Sequence, residues 1–213
     1  MRGSLVPLVC LLASPLAAQD SGSGGGELPE LLAREEEVAL ALSAAPEHLR
    51  AGAGVFVLEG RGYVQVRQST NGFTCLVNRD HPRNQKPTCW DAEGTRAIVP
   101  VVLRTGELLM RGVPMEQIQQ EIQSGFAEGR YRPTQRPGVA YMLSEKIRVY
   151  NPSTRRMGTF PPHVMFYAPA LRNEDIGSDG SGRQGLPFIG YEGPHGYMIV
   201  VPPRPAGGSA ATP

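Results

Sequence analysis

Two cysteines, Cys75 and Cys89, are the only ones in the chain beyond residue 10, and a bond between them would constrain the fold more than any other sequence feature. Their spacing is too long for the C-x-x-C motif of redox proteins. The chain also has no second cysteine pair and no closely spaced histidine pair that could complete a zinc site. Whether the two thiols pair therefore depends on the compartment in which the protein works.

The chain begins MRGSLVPLVCLLASPLAAQD, which is the layout of a secretory signal peptide. Arg2 supplies the positive start, an apolar run follows, and small residues precede a predicted cleavage after Ala18. The apolar run is shorter than the roughly 20 residues that span a membrane, so we expect no stable membrane span once residues 1–18 are removed. The mature chain is thus predicted to be periplasmic or secreted.

Export places Cys75 and Cys89 in an oxidising space, where a lone pair of cysteines forms a disulfide. A catalytic thiol beside a second cysteine would tend to oxidise there, so we favour a structural bond. In the chain-entropy model, closing a loop of about 15 residues contributes ~3 kcal/mol to the free energy of unfolding.

Composition argues against nucleic acid as a partner. The chain has 21 Lys and Arg against 20 Asp and Glu, and removal of Arg2 with the signal leaves 20 of each. No basic domain or tail is left to neutralise phosphates. With 40% hydrophobic residues the mature length suits one domain. We place a flexible linker at 19–27, a single domain at 28–203 and a disordered tail at 204–213.

The first half of the domain reads as one helix followed by strands. Residues 28–46 are predicted to be helical, with Pro29 at the first helical position and Pro46 at the end. Alternating apolar and polar residues then predict an antiparallel meander of three strands, at about 54–59, 62–68 and 73–77. We expect the stretch from there to Cys89 to be an irregular loop that the disulfide ties back to the sheet.

The middle of the domain changes to a helical period. A helix is expected after Pro100, and residues 114–130 form a second, amphipathic one. The three-and-four spacing in this second helix predicts that Ile118, Ile122 and Phe126 are buried and that its glutamines at 119, 120 and 123 are exposed.

The last third contains two strands at 138–144 and 147–152, and then two similar segments. PHVMFYAP (162–169) and PHGYMIVVP (194–202) each have Pro-His, a short apolar run and a closing proline, which indicates two buried strands. The predicted fold class is α+β: a single domain with an antiparallel or mixed β-sheet, an N-terminal helix, one or two helices in the middle and one disulfide.

Several segments together resemble a family of exported bacterial proteins of unknown function. They are ALSAAP (41–46), STNGFTCLV (69–77), PTCWDAEG (87–94), GVAYMLS (138–144), FPPHVMFYAP (160–169) and GPHGYMIVVP (193–202). This chain has Ser69 where such relatives tend to have Gly, and Trp90 where they commonly have Tyr or an aliphatic residue. The resemblance implies export and a paired Cys75–Cys89, directs attention to the Pro-His turns, and implies no activity or cofactor.

His163 and His195 are the main candidate site residues, because imidazole titrates near neutrality and is the commonest metal ligand. If their strands are parallel neighbours, both side chains emerge at one sheet edge. We predict that the two histidines face one cleft with an acid in reach, for which Asp91 is preferred. The alternatives are Asp80, Glu93, Glu174, Asp175 and Glu192. The competing interpretation is that each imidazole simply bonds a backbone carbonyl at a strand start.

Three functions are compatible with these features. The absence of G-x-S-x-G, H-E-x-x-H and phosphate-loop motifs favours a non-catalytic binding module for a small molecule or a protein. The alternatives are a hydrolase or metal-assisted enzyme using His163, His195 and an acid, and a structural accessory protein of the cell envelope. The sequence identifies no cofactor and no specific partner.

Overall fold

The computed structural model describes residues 26–203, so the predicted signal peptide, most of the linker and the tail lie outside the described residues. The main sheet contains β1 (Gly54–Glu59), β2 (Gly62–Arg67), β3 (Thr74–Asn78), β4 (Lys86–Trp90), β5 (Val139–Met142), β8 (His163–Tyr167), β9 (Pro187–Tyr191) and β10 (Tyr197–Val200). A separate hairpin contains β6 (Arg148–Asn151) and β7 (Arg156–Thr159). The helices are α1 (Arg34–Leu42), α2 (Glu47–Arg50), α3 (Ala92–Ala97), α4 (Val99–Met110) and α5 (Met115–Ala127).

The eight strands form one mixed sheet in the order β2-β1-β3-β4-β5-β8-β10-β9. Every neighbouring pair is antiparallel except β1 and β3, which are parallel. Helix α1 covers β1, β3 and β4 on one face of the sheet, and α3 and α4 lie on the other. The predicted single-domain α+β class with a mixed sheet, an N-terminal helix, helices in the middle and one disulfide is confirmed.

The predicted three-stranded meander is wrong in its third strand. β1 and β2 form the expected hairpin, but β3 enters on the other side of β1 and runs parallel to it. The segment that contains Asn71 and Gly72 therefore connects β2 to β3 past β1, and it is not a tight turn between neighbouring strands. It is held on the α2–β1 connection, where the Asn71 side-chain amide donates to the Leu49 carbonyl at 2.8 Å and Thr70 N donates to the Gly52 carbonyl at 2.8 Å.

The stretch expected to be an irregular loop contains β4, which pairs with β3 along its whole length. This strand is hard to recognise in the sequence because it contains Pro87, and proline is rare inside sheets. β5 pairs only with Cys89 and Trp90, so Pro87 needs no amide hydrogen on that side. Cys75 and Cys89 are direct cross-strand partners, and the predicted disulfide between them is confirmed.

Helix α1 begins at Arg34, and Pro29 is not its first residue as predicted. The residues before it are drawn to tertiary partners instead: Gly26 N donates to the Gly112 carbonyl at 2.7 Å, and the Arg79 guanidinium donates to the Glu30 carbonyl at 3.4 Å. Pro46 does not end α1, which stops at Leu42; it precedes the short helix α2.

A buried ion pair joins α1 to the end of β3. Arg79 donates to both carboxylate oxygens of Glu37, at 2.5 and 2.8 Å, and both side chains are fully buried. Arg79 N also donates to the Tyr63 hydroxyl at 3.2 Å, and burial raises the pKa of that phenol. The two charges neutralise each other inside the packed side of the sheet.

The outer edge of β9 is closed by one side chain. Asn173 accepts from Ile189 N at 2.8 Å and donates to the Ile189 carbonyl at 3.1 Å. Its amide thus takes the place of a neighbouring strand. None of the helices within residues 26–203 combines the length and apolar character that crossing a membrane requires.

Candidate functional site

A cavity of about 1010 Å³ lies between the sheet and helices α4 and α5. Its floor is formed by alternate residues of β4, β8 and β10, which point to one face because side chains alternate along a strand. The apolar or aromatic residues on these three strands that line it are Trp90, Met165, Tyr197 and Ile199. The volume is at the upper end of the range typical of small-molecule sites, about 300–1,000 Å³.

Helix α5 forms the opposite wall and explains a partial failure of the burial prediction. The three residues predicted to be buried all line the cavity, but Ile118 is buried whereas Ile122 and Phe126 are only half-buried. The three glutamines of α5 at 119, 120 and 123 are exposed, as predicted. The spacing thus identified the inward face correctly, but part of that face meets open space and not packed side chains.

His163 is the first residue of β8 and lies at one end of the cavity. Its Nδ1 is 2.8 Å from the Pro161 carbonyl, which can only accept a hydrogen bond, so Nδ1 carries the proton. Burial lowers the pKa of this imidazole, and the nearby Lys86 ammonium acts in the same direction. The ring is therefore neutral at pH 7, with Nε2 as a bare acceptor.

His195 lies in the turn before β10 and borders the other end of the cavity. Its Nε2 is 3.0 Å from the Arg132 carbonyl, which fixes the proton on Nε2 and leaves Nδ1 as the acceptor. The ring packs edge-on against Phe126, with the ring centroids 4.8 Å apart. Burial lowers the pKa of this imidazole as well.

The two histidines share one cavity but are not close together. β8 and β10 are neighbours, and they are antiparallel and not parallel, with Val164 opposite Val200 and Tyr167 opposite Tyr197. The Pro-His turns therefore lie at opposite ends of the pair. At about 3.3 Å per residue, six residues of ladder separate them by roughly 20 Å along the backbone. Both imidazoles bond a backbone carbonyl, as the alternative interpretation expects.

Asp91, the preferred acid, lies outside the cavity lining and organises the fold. One carboxylate oxygen caps α3 by accepting from Gly94 N at 2.9 Å and also accepts from the Tyr167 hydroxyl at 2.7 Å. The other accepts from Val139 N at 2.8 Å. With three hydrogen bonds, this carboxylate joins α3, β5 and β8 and faces neither histidine.

Two of the five alternative acids line the cavity, and the other three do not. Asp80 and Glu192 line the cavity, at the His163 end and the His195 end respectively, and Asp80 is paired with Lys86. Glu93 instead holds the segment after α5 by accepting from Gln135 N at 2.7 Å, a bond that lowers its pKa. Glu174 and Asp175 lie in a single turn of 3-10 helix and pair with Arg172.

Trp90 and Tyr197 are cavity residues that the sequence did not identify. The Trp90 indole donates to the Tyr197 hydroxyl at 2.8 Å, and this contact lies on the cavity wall. Trp90 does not pack on the disulfide, because Cys89 precedes it in β4 and points to the opposite face. The sequence signal for the position of Trp90 is the alternation of Lys86, Thr88 and Trp90 along one strand. That signal has no meaning if residues 86–90 are predicted to be a loop.

Within residues 26–203, no three His, Cys, Asp or Glu side chains are grouped closely enough to hold a metal ion. Comparison of the chain with protein-family models, with curated proteins and with solved structures found no match. The cavity is therefore interpreted from its own chemistry.

Proposed function

We propose that this is an exported, non-catalytic binding protein that holds a small, elongated and largely apolar molecule between its sheet and helix α5. The observation that carries the proposal is the cavity itself: about 1010 Å³ lined mainly by aliphatic and aromatic side chains. Apolar pockets of this size, with a few placed polar groups, are the common form of small-molecule sites. The signal-peptide pattern and the disulfide support a periplasmic or secreted location.

The separation of the polar groups favours binding over metal-assisted hydrolysis. A catalytic pair needs a base or ligand within a few ångströms of its partner. Here His163 and His195 lie at opposite ends of the cavity, and Asp91 is engaged elsewhere. His163 and His195 are instead placed to contact the two ends of one extended ligand.

The binding proposal can be tested with Nile red, a neutral apolar dye, and with the chain's only tryptophan as reporter. Trp90 lies on the cavity wall, so energy transfer from its indole to the dye reports occupancy directly. We expect saturable binding of one dye per protein. The absence of saturable binding, or dye fluorescence with no effect on Trp90, would contradict the proposal.

Two variants of α5 provide a matched comparison. Ile122→Phe places a larger side chain into the cavity, whereas Gln120→Phe adds the same ring on the exposed side of the same helix. We expect the first to weaken dye binding about tenfold and the second to leave it within about twofold. Equal effects of the two substitutions would show that the dye binds elsewhere.

A further inference from the structure

The hydrogen-bonding state of the cavity ends restricts the ligand further, on the premise of the proposed binding function. Each histidine uses its only proton on a backbone carbonyl, and each keeps one ring nitrogen that can only accept. His163 and His195 are 2% and 7% exposed, so only a small part of either side chain contacts solvent. A buried acceptor of this kind needs a donor.

Neither free nitrogen is completely sealed inside the protein. Among the described residues, the sealed side-chain polar atoms that lack a partner are Arg79 Nε and Glu93 Oε2. Neither His163 Nε2 nor His195 Nδ1 belongs to that group, although no described residue bonds either atom. Since both side chains line the cavity, a ligand within it can reach them.

The charged side chains at the two ends of the cavity also favour a ligand that donates hydrogen bonds. Asp80 lies at the His163 end and Glu192 at the His195 end, so each end presents a carboxylate in addition to a bare ring nitrogen. Among the described residues that line the cavity, Lys86 is the only cation, and it is paired with Asp80. A carboxylate or phosphate on the ligand would therefore meet acceptors and no free cation.

We propose that the ligand is a neutral, long apolar molecule bearing hydroxyl groups near its ends, which donate to His163 Nε2 and His195 Nδ1. A fatty-acid-like anion lacks a counter-charge in this cavity. An ammonium group would have to leave water for a largely apolar site where one of the two carboxylates is already paired. A hydroxyl supplies the donor that both nitrogens lack at the lowest cost of desolvation.

The first experiment ranks ligands of one chain length on the unmodified protein by displacement of Nile red. The ligands are dodecanediol with a hydroxyl at each end, dodecanol, dodecanoate and dodecylamine. We expect the diol to bind most tightly, dodecanol next, and dodecanoate at least about tenfold more weakly than dodecanol. Tighter binding of dodecanoate or dodecylamine than of both alcohols overturns the proposal.

The second experiment removes the acceptors one at a time with His163→Phe and His195→Phe, each of which keeps an aromatic ring. His48→Phe is the matched control, because His48 is exposed on α2, away from the cavity. Each cavity variant should lose about tenfold in diol affinity while binding Nile red within about twofold, and the control should lose neither.

Nile red has no N–H or O–H group, so its binding does not depend on the histidine acceptors. If the unmodified protein does not bind Nile red, the cavity is refuted as a binding site. Retained Nile red binding with unchanged alcohol affinity in both histidine variants would refute the hydroxyl proposal alone. If one variant does not fold, the other variant and the ligand ranking still decide the question.

Discussion

The two faces of the central sheet differ in packing although the same strands form both: one face is closely packed against α1, and the other leaves a cavity next to α5. On the α1 face, small residues let the helix and the turn after it approach closely: Ala41 of α1 and Ala44 and Ala45 of the turn are completely buried in one cluster with Val55 and the disulfide. On the α5 face, the helix stands away from the sheet and encloses open volume. In β4, Cys89 belongs to the packed face and Trp90 to the open one.

This difference shows that stability and ligand binding are separated by side-chain alternation within single strands. The packed face contains the buried ion pair and the disulfide, and it fixes the positions of the strands. The open face also has a packed core, which includes Leu76, Ile98 and Val102, and the open volume lies between that core and α5. A rigid scaffold of this kind holds a preorganised pocket.

The sharpest way to break the packed face is to remove one charge of its ion pair. Arg79→Met leaves Glu37 buried without a partner, which should lower the free energy of unfolding by about 3–5 kcal/mol. Urea denaturation followed by Trp90 fluorescence measures the loss. Replacing both residues, with Glu37→Leu added, should recover much of it, because a buried pair is costly mainly when half of it is missing.

The exposed pair Arg34–Glu59, which joins the same helix to β1, is the control. Arg34→Met should cost no more than about 1 kcal/mol, since surface pairs contribute little. A similar cost for Arg34→Met and Arg79→Met would show that burial does not set the strength of the α1 contact.

On the open face, the cost of truncating a side chain should follow how deeply that side chain is buried. Ile118→Ala removes a fully buried side chain and should cost about 2–5 kcal/mol. Ile122→Ala should cost less than half as much, because Ile122 is only half-buried and loses fewer contacts. Gln120→Ala should stay within about 0.5 kcal/mol. Equal losses at the two isoleucines, measured by urea denaturation, would mean that the cavity is closed in solution.

Removing the disulfide should damage the packed face and spare the open one. The double variant Cys75→Ala and Cys89→Ala should lose ~3 kcal/mol of stability through the freed chain entropy. Its affinity for Nile red should stay within about twofold, since the bond lies on the face opposite the cavity and distant sites act independently. Two free thiols in the unmodified exported protein, detected by non-reducing mass spectrometry, would contradict the bond itself.

The smallest expected effect is a pH dependence that originates from the open face. Burial lowers the pKa of His163 and His195 below the ordinary value of 6.5, and Lys86 acts in the same direction at His163. Below about pH 6.5 the unfolded chain binds more protons than the folded one, so stability is complete above that pH and decreases as pH falls.

Chemical denaturation at pH values from about 7.5 to 5 should show this decrease, and a His163→Gln, His195→Gln double variant should weaken it. Asp80 and Glu192, which line the two ends of the cavity, must be kept in that variant so that the carboxylates near the two rings do not change. His48→Gln is the control and should leave the slope unchanged, since His48 is exposed. A slope unaffected by the double variant would assign the pH dependence to other groups.

The sequence predicted what depends on local pattern and failed where distant segments meet. The amphipathic spacing of α5, the first hairpin and the disulfide follow from neighbouring residues and from cysteine count. The position of β3 beside β1 does not, because it depends on contacts between segments that are distant in the chain, such as the hydrogen bond from Asn71 to Leu49. Strand order is a tertiary property that alternation alone leaves open.

The candidate site shows the same division. The Pro-His repetition drew attention to His163 and His195, and both line the cavity. Their separation depends on the antiparallel direction of β8 and β10, which two similar sequences cannot reveal. Asp91 was selected for its place after Cys89-Trp90, yet its oxygens are taken by a helix cap, a tyrosine and a backbone amide.

The amide of Asn173 has a consequence for how copies of this protein meet. An open strand edge invites a second chain to continue the sheet, which is the usual route to aggregation of β-rich proteins. At β9 an incoming strand would first have to displace two hydrogen bonds between the Ile189 backbone and the Asn173 side chain. One side chain thus makes this end of the sheet less available for pairing with a strand of another copy.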